Sequence, residues 1–495
     1  MRPYILVFDH GTTSIRACLM NHDGVIVARN QEQFEQIYPQ PGWVEHDANT
    51  LWQITLRVSE AVLKQQGIGW ADIAAVGLTN QRETTVLWDK QTGEPIYNAI
   101  VWQCRRTAER CEQLKRAGHA EAISQKTGLV VDAYFSASKI EWLMNNVPKA
   151  NDLLKQNRLL FGTVDTWILW KLSGGKVHVT DFTNASRTML YNIHDRQWDA
   201  ELLRLFNIPA AILPEVQPSN AVVGTVDLAL TDGVDVPLAG IAGDQQAALH
   251  GQKCWTPGTA KSTYGTGAFL VMNTGQQPVH STQGLLTTLA TDAQGNPAYA
   301  LEGAIFFAGA AIEWLTKKLG AIEHVRDIDT LAQSLESNEG VYLVPAFAGL
   351  GAPYWDANAR GGIFGLTQDS GKAHLVRAAL EAMAYQTREV LDSMQQEAHL
   401  ALEALRVDGG VTRSDFLVQF LADMLNVPVV RMDDAELTAK GAGYLAGLAV
   451  GFWQSWEEIA RLPEQTERFE PRMDAAMRDT LMAGWRHAVS RVLNH

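Results

Sequence analysis

Short, wholly apolar runs alternate with amphipathic stretches along this chain, the pattern of a buried sheet covered by helices. Tyr4-Ile-Leu-Val-Phe8, Ala17-Cys-Leu-Met20 and Val25 to Ala28 predict three strands, the last two joined by the turn His22-Asp-Gly24. Thr50 to Gln65 predicts an amphipathic helix, Ile73 to Leu78 a strand, and Pro214 to Pro218 and Leu228 to Val236 loops. Leu238 to Ile241 reads as a buried strand, followed by a helix start at Ala247 to His250. Later elements are helices at Glu302 to Leu319 and His374 to Glu397, a strand at Val341 to Pro345, and a strand at Leu405 to Gly410 ending in a glycine turn. A helix at Ser414 to Leu425, a strand at Pro428 to Arg431 and a helix at Thr438 to Val450 follow. Gly441 to Trp453 is the most apolar long stretch. It is too short and too glycine-rich to span a bilayer, so a packed helix and no membrane insertion are expected.

Composition narrows the class. At 495 residues the chain is too long for one ordinary core, and two domains of roughly 250 residues are expected. Hydrophobic residues make up 46% and charged residues 19%, a globular balance. A net charge of -14 argues against nucleic acid as a partner. The four cysteines, Cys18, Cys104, Cys111 and Cys254, form no CxxC pair and no disulfide framework, which fits a reducing, cytoplasmic location. The opening run meets Asp9 too soon for a signal peptide.

Five stretches carry candidate chemistry. In Asp9-His-Gly-Thr-Thr-Ser-Ile-Arg16, Gly11 lets backbone N–H groups converge on an anion, Thr12, Thr13 and Ser14 add hydroxyl donors, and Asp9 is a hard oxygen ligand suited to Mg²⁺. Taken alone this turn reads better as an ordinary hairpin with polar residues at its turn. Thr259 to Gly275 repeats its plan, however, with Gly265-Thr266 standing where Gly11-Thr12 stand, and two such hairpins suggest a duplicated domain gripping phosphates from both sides of a cleft. Asp244 and Gln245 follow a buried strand. Asp244 reads either as a base that takes a proton from a substrate hydroxyl or as the cap of the next helix. Arg82-Glu83 reads as a surface ion pair or as a donor and acceptor for neighbouring hydroxyls of a polyol. Gly409-Gly410 reads as a plain strand-to-helix turn or as backbone against which a base or ribose lies. Gly258-Thr-Ala-Lys-Ser lacks the glycine that a P-loop needs before its lysine. Gly441 to Gly447 misses the dinucleotide spacing by one residue, and helix packing explains it better.

These motifs resemble the FGGY carbohydrate kinases, within the actin and hexokinase-like ATPases. The likeness runs from Tyr4 to about Leu448. Thr263-Tyr-Gly-Thr-Gly267 is similar to the family's second phosphate motif, Val407-Asp-Gly-Gly410 to its adenosine motif, and Tyr134 to Asn146 and Gly361 to Glu381 to its two signatures. Asn80-Gln-Arg-Glu-Thr84, Asn98 to Arg106 and Gly243-Asp-Gln-Gln246 are narrower and resemble the members that act on glycerol. The resemblance implies an α/β fold of two ribonuclease-H-like, actin/hexokinase-type domains around a nucleotide cleft, here 1–249 and 250–495. It implies ATP-dependent phosphorylation of glycerol to sn-glycerol 3-phosphate, the first step of glycerol catabolism, with ATP/ADP and Mg²⁺, by a homodimer or homotetramer.

By position, the resemblance assigns Arg82, Glu83, Tyr134, Asp244 and Gln245 to the hydroxyls and Trp102 and Phe269 to the carbon chain, with Asp244 as general base and Asp9 on Mg²⁺. Thr12, Thr13, Ser14, Arg16 and Thr266 would position phosphates, and Gly309, Glu313, Gly410 and Ser414 would contact nucleotide. Glu313 and Ser414 depart from the Gln and Asn that many members carry, so nucleotide affinity is expected to differ. Members inhibited by fructose 1,6-bisphosphate carry a basic, glycine-rich loop before the central strand. Leu230 to Asp235 has no positive charge, so little such inhibition is expected.

Overall fold

The computed structural model describes residues 2–356 and 358–493. Its N-terminal sheet has the order Val222–Thr225, Pro237–Gly243, Ile73–Asn80, Tyr4–His10, Ser14–Met20, Ile26–Gln33. The strands Tyr4–His10, Ile73–Asn80 and Pro237–Gly243 are mutually parallel. Ile5, Leu6, Val7 and Phe8 are all fully buried, because helices cover both faces and a parallel strand then needs an unbroken apolar run. Helix Ala48–Gln66 covers one face, started by Asp47, whose carboxylate accepts the N–H of Asn49 at 2.9 Å.

The second sheet repeats the scheme with one strand added at an edge: Leu286–Thr291, Pro297–Ile305, Ala268–Gly275, Ala260–Tyr264, Leu405–Asp408, Val429–Met432, Thr466–Phe469. Ala260–Tyr264, Leu405–Asp408 and Val429–Met432 are parallel here, as their counterparts are in the first sheet. The duplication suggested by the two hairpins is therefore a duplication of strand order. The buried helix Lys372–Ala398 lies in the core of this half.

One expected element is absent. Glu302 to Leu319 is not a single helix: Glu302 lies in strand Pro297–Ile305, and a helix follows at Gly309–Lys317. Ala298-Tyr-Ala-Leu-Glu-Gly-Ala304 shows no strand periodicity because the strand is paired on both edges, by Leu286–Thr291 and Ala268–Gly275, and is buried along most of its length. Tertiary pairing overrides the helical preference of Ala, Leu and Glu.

The halves are laced together by their helices. Leu437–Val450, from the second half, packs Ala439, Ala442 and Ala446 with Ile5, Val7, Ala75 and Ala239 of the first sheet. A Cβ on Gly441 would lie 1.9 Å from the carbonyl oxygen of Ala247, so only glycine lets this helix approach Asp244–Gly251 so closely. The glycines of Gly441 to Gly447 thus serve helix packing, as expected. No helix among the described residues is long and apolar enough to cross a membrane.

Candidate active site

Three parallel strands of the first sheet end at the same edge, where His10 pairs with Asn80 and Asn80 with Gly243. Residues just beyond those ends meet in the crevice where open α/β sheets bind ligands. Arg82 and Glu83 are 3% and 1% exposed, which overturns the surface ion-pair reading. Arg82 Nη1 donates to Glu302 Oε2 at 2.6 Å and to Gln246 Oε1 at 3.1 Å, and Nη2 donates to Glu302 Oε1 at 3.0 Å. Its Nε faces Asp244 Oδ1 at 3.2 Å. Arg187 closes the cluster, donating from Nε to Glu83 Oε1 at 2.6 Å and from Nη2 to Glu302 Oε1 at 3.0 Å. Asp244 is the first residue of its helix and Gly243 holds the N-cap position, so Asp244 is not the cap. Its side chain is 31% exposed on an otherwise buried floor.

The cluster sets its own charge states. Burial opposes ionisation of Glu302, but Arg187 and Arg82 outweigh it and hold the carboxyl down at about 2. Burial raises Glu83, against Arg187 and Arg82. Burial, helped by Glu83, pushes the Tyr134 phenol well up, which keeps it a neutral donor. Lys261 donates to Gln245 Oε1 at 2.5 Å and to Thr263 Oγ1 at 3.0 Å, and burial pulls it down to about 8.

Of the remaining polyol candidates, Tyr134 adjoins this floor, its ring centre 5.4 Å from the Arg187 guanidinium. The Trp102 and Tyr134 rings lie 5.5 Å apart. Trp102 Nε1 donates to Thr12 Oγ1 at 3.0 Å, which ties the pocket wall to the first Gly-Thr turn. Phe269 is half-buried and pairs in register with Thr263 and Ala304. In the turn, Ser14 Oγ accepts from Gln31 at 2.8 Å, and Thr13 is exposed, with its carbonyl accepting the N–H of Phe34. Asp9 is raised to about 6 by burial, against Arg16, which stands 3.6 Å away. Arg16 also meets Glu436 at 3.2 Å, and Glu436 binds Arg29 as well.

Across the cleft the second turn is bare backbone. Gly265 and Thr266 are exposed, and the start of helix Gly309–Lys317 rests on them: Gly309 N–H donates to the Gly265 carbonyl, and those of Ala308 and Ala310 donate to the Thr266 carbonyl. Gly409 has φ +105°, and a Cβ there would sit 2.2 Å from the Tyr264 carbonyl oxygen, whereas a Cβ on the exposed Gly410 would meet nothing within 4 Å. That open space borders the turn. The other two nucleotide candidates stand differently. Ser414 is buried and caps helix Asp415–Leu425, its hydroxyl accepting the Leu417 N–H and donating to Asp329. Glu313 is exposed and pairs with Lys317 at 2.5 Å.

Arg187, Gln246, Lys261, Glu302 and Glu436 do not stand out in the sequence as site residues. Lys261 carries a signal, a lone lysine inside a strand of small residues, and Gln246 lies within the Gly243 to Gln246 motif. Glu302 is hidden by its helical surroundings. The loop 230–235 borders a groove of about 530 Å³ whose charged lining is Glu60, Lys64 and Asp232, apart from the Arg82 cluster.

A partly exposed carboxylate on a buried polar floor, with one Gly-Thr turn in each of two duplicated sheets, is the arrangement of a two-domain phosphotransferase. The description "FGGY family of carbohydrate kinases, N-terminal domain" matches residues 4–251 and its C-terminal counterpart matches residues 260–450. The chain belongs to this family. It is 54% identical over 493 residues, covering 100% of this chain and 99% of the relative, to the glycerol kinase of Thermoanaerobacter sp. (strain X514). It is 54% identical over 490 residues, 99% of each chain, to that of Shewanella sp. (strain ANA-3). A crystal structure of Plasmodium falciparum glycerol kinase with ADP superposes with a TM-score of 0.93 at 36% identity, covering 99% of this chain and 98% of that one. A gluconate kinase from Lactobacillus acidophilus, 23% identical over 98% of this chain and 97% of its own, shares the fold with a TM-score of 0.88.

Proposed function

We propose that this chain phosphorylates glycerol with ATP to give sn-glycerol 3-phosphate and ADP, the 1–249 half supplying most of the polyol site and the 250–495 half most of the nucleotide site. The observation that carries the reading is Asp244, partly exposed on a floor whose other charges are buried and paired, with Arg82 Nε 3.2 Å from it. The 54% identity to glycerol kinases along the whole chain supports the substrate. Asp244 takes the proton of one terminal hydroxyl as that oxygen attacks the γ-phosphorus. Arg82, Glu83, Tyr134 and Gln245 bond the hydroxyls, and Trp102 and Phe269 bracket the carbon chain. A site that pairs every hydroxyl rejects analogues lacking one.

Thr12, Thr13, Ser14, Arg16 and Thr266 position the phosphates from the two turns. Gly410 leaves room for nucleotide, Gly309 lets its helix start close on the Gly265 carbonyl of the second turn, Glu313 lies at the edge, and Ser414 shapes the adenosine turn by capping the next helix. Among the described residues, no group of three or more His, Cys, Asp or Glu is placed to hold a metal. Mg²⁺ keeps several waters and needs only one or two carboxylates beside the phosphates, so Asp9 fits it. Bound Mg²⁺ would neutralise charge developing on the phosphoryl oxygens. The four free, buried thiols support a reducing compartment.

The test is ADP release with Mg-ATP against glycerol, dihydroxyacetone, erythritol, ribitol and xylulose, with a control lacking substrate. Strong preference for glycerol is expected. Preference for a longer substrate would keep the fold and Asp244 but remove the glycerol assignment.

A further inference from the structure

We propose that Glu302, which comes from the second half of the chain, is the residue that positions Arg82 in the polyol site, so that the second half governs recognition of glycerol's hydroxyls and does not only wall its carbon chain through Phe269. The inference rests on the glycerol reading above and deepens it.

Hydrogen-bond capacity decides how Arg82 is held. A guanidinium carries five N–H donors in a fixed plane. Glu302 takes two of Arg82's in a bidentate fork, at 2.6 and 3.0 Å, and Gln246 Oε1 takes a third at 3.1 Å. The two left are Nε–H, on the side of Asp244, and the second proton of Nη2. The fork therefore fixes which edge of Arg82 meets the substrate. Glu302 itself is 1% exposed and is braced by Arg187, whose Nη2 donates to Oε1 at 3.0 Å. Its strand is locked in register on both sides. Arg82, by contrast, follows a strand end, where backbone alone does not orient a long side chain.

Charge gives a second reason. Glu302 is the counter-ion within hydrogen-bond reach of both Arg82 terminal nitrogens. Without it, the buried Arg82 cation would be left to pair with Asp244, the carboxylate that faces substrate. Three further bonds join the halves. Lys261 fixes the Gln245 oxygen, which turns its NH₂ toward the pocket as a donor, and Gln246 Nε2 donates to Thr288 Oγ1 and the Leu289 carbonyl, each at 3.1 Å. The pocket floor is thus pinned across the two sheets, and any opening of the cleft hinges beyond it.

The test compares wild type, Glu302→Gln and Glu302→Asp in calorimetric titrations with glycerol and, separately, ADP, followed by steady-state kinetics. The amide of Glu302→Gln would face an Arg82 donor with its own NH₂, so one leg of the fork is lost. The expected result is a KM and dissociation constant for glycerol raised at least about tenfold, an ADP affinity within about twofold of wild type, and partial recovery in Glu302→Asp. Equal weakening of glycerol and ADP, or unchanged glycerol affinity, would overturn the proposal. If Glu302→Gln fails to fold, as shown by lost ADP binding, Glu302→Asp decides: wild-type glycerol affinity in that variant overturns the inference, and selective weakening supports it. A wild-type chain that does not prefer glycerol would instead refute the underlying reading, a separate outcome.

Discussion

On the first-half side of the cleft, Arg82, Glu83 and Arg187, with Glu302 reaching in from the second half, are each at most 3% exposed and bonded to one another. On the other side, Gly265, Thr266, Gly409 and Gly410 are exposed main chain. On the proposed assignment of polyol to the first side and nucleotide to the second, the difference follows from the ligands. A small polyol offers only hydroxyls, which must be read by dipoles already held in place, and a buried ion cluster holds them. A nucleotide brings its own charge and a flat base, so it needs room and N–H groups more than side chains. Rigidity is built on one side and access on the other.

The largest effect should come from the polyol side. Asp244→Asn is expected to lower kcat by about 10²- to 10⁴-fold while ADP binding, measured by calorimetry, persists. Near-normal turnover would remove Asp244 as the base.

Adjacent glycines on the nucleotide side separate fold from access. Gly409→Ala forces a side chain onto the Tyr264 carbonyl at φ +105°, and a loss of about 1–3 kcal/mol in unfolding free energy is expected by chemical denaturation. Gly410→Ala should change stability by less than about 0.5 kcal/mol yet raise the KM for ATP, because its Cβ enters open space. Equal effects of the two would break the distinction.

A pH titration sharpens the contrast. Burial depresses Lys261 to about 8, with Asp408, Asp244 and Glu302 favouring its charge and Arg82 opposing it. Between about 8 and the ordinary lysine value of 10.5 the unfolded chain holds a proton there that the folded chain has released, so this group makes stability rise with pH across that window. The ammonium anchor on Gln245 is lost over the same range. Glycerol affinity should therefore weaken above pH 8 while ADP affinity does not, and Lys261→Met should abolish that difference. A glycerol affinity flat from pH 7 to 9.5 would contradict it.

The smallest effect is expected at Glu313. It is exposed and paired only with Lys317, so Glu313→Gln should change the KM for ATP by no more than about threefold in steady-state assays.

Much of this site is legible in the sequence because it sits at strand ends marked by Gly, Asp and Thr. Those ends are forced together once the strands are parallel, which is why the strand pattern alone groups Asp9, Arg82 and Asp244. The residues that hold them are harder to see. Glu302 lies in a strand paired on both sides, where burial along most of its length erases the alternation that marks a strand, and its Ala, Leu and Glu neighbours favour helix. Arg187 stands in a polar run whose purpose emerges only when Glu83 and Glu302 are brought beside it. Ser414 is legible as a helix start, but its bond to Asp329 joins residues 85 apart in sequence.

On the proposed reading a pre-oriented floor presents one terminal hydroxyl of glycerol to the γ-phosphate. The most direct measurement is the stereochemistry of the product formed from glycerol and Mg-ATP, resolved with an enantiospecific dehydrogenase. A single enantiomer, sn-glycerol 3-phosphate, is the predicted result. A racemic product, or ADP release with no phosphorylated glycerol, would contradict it.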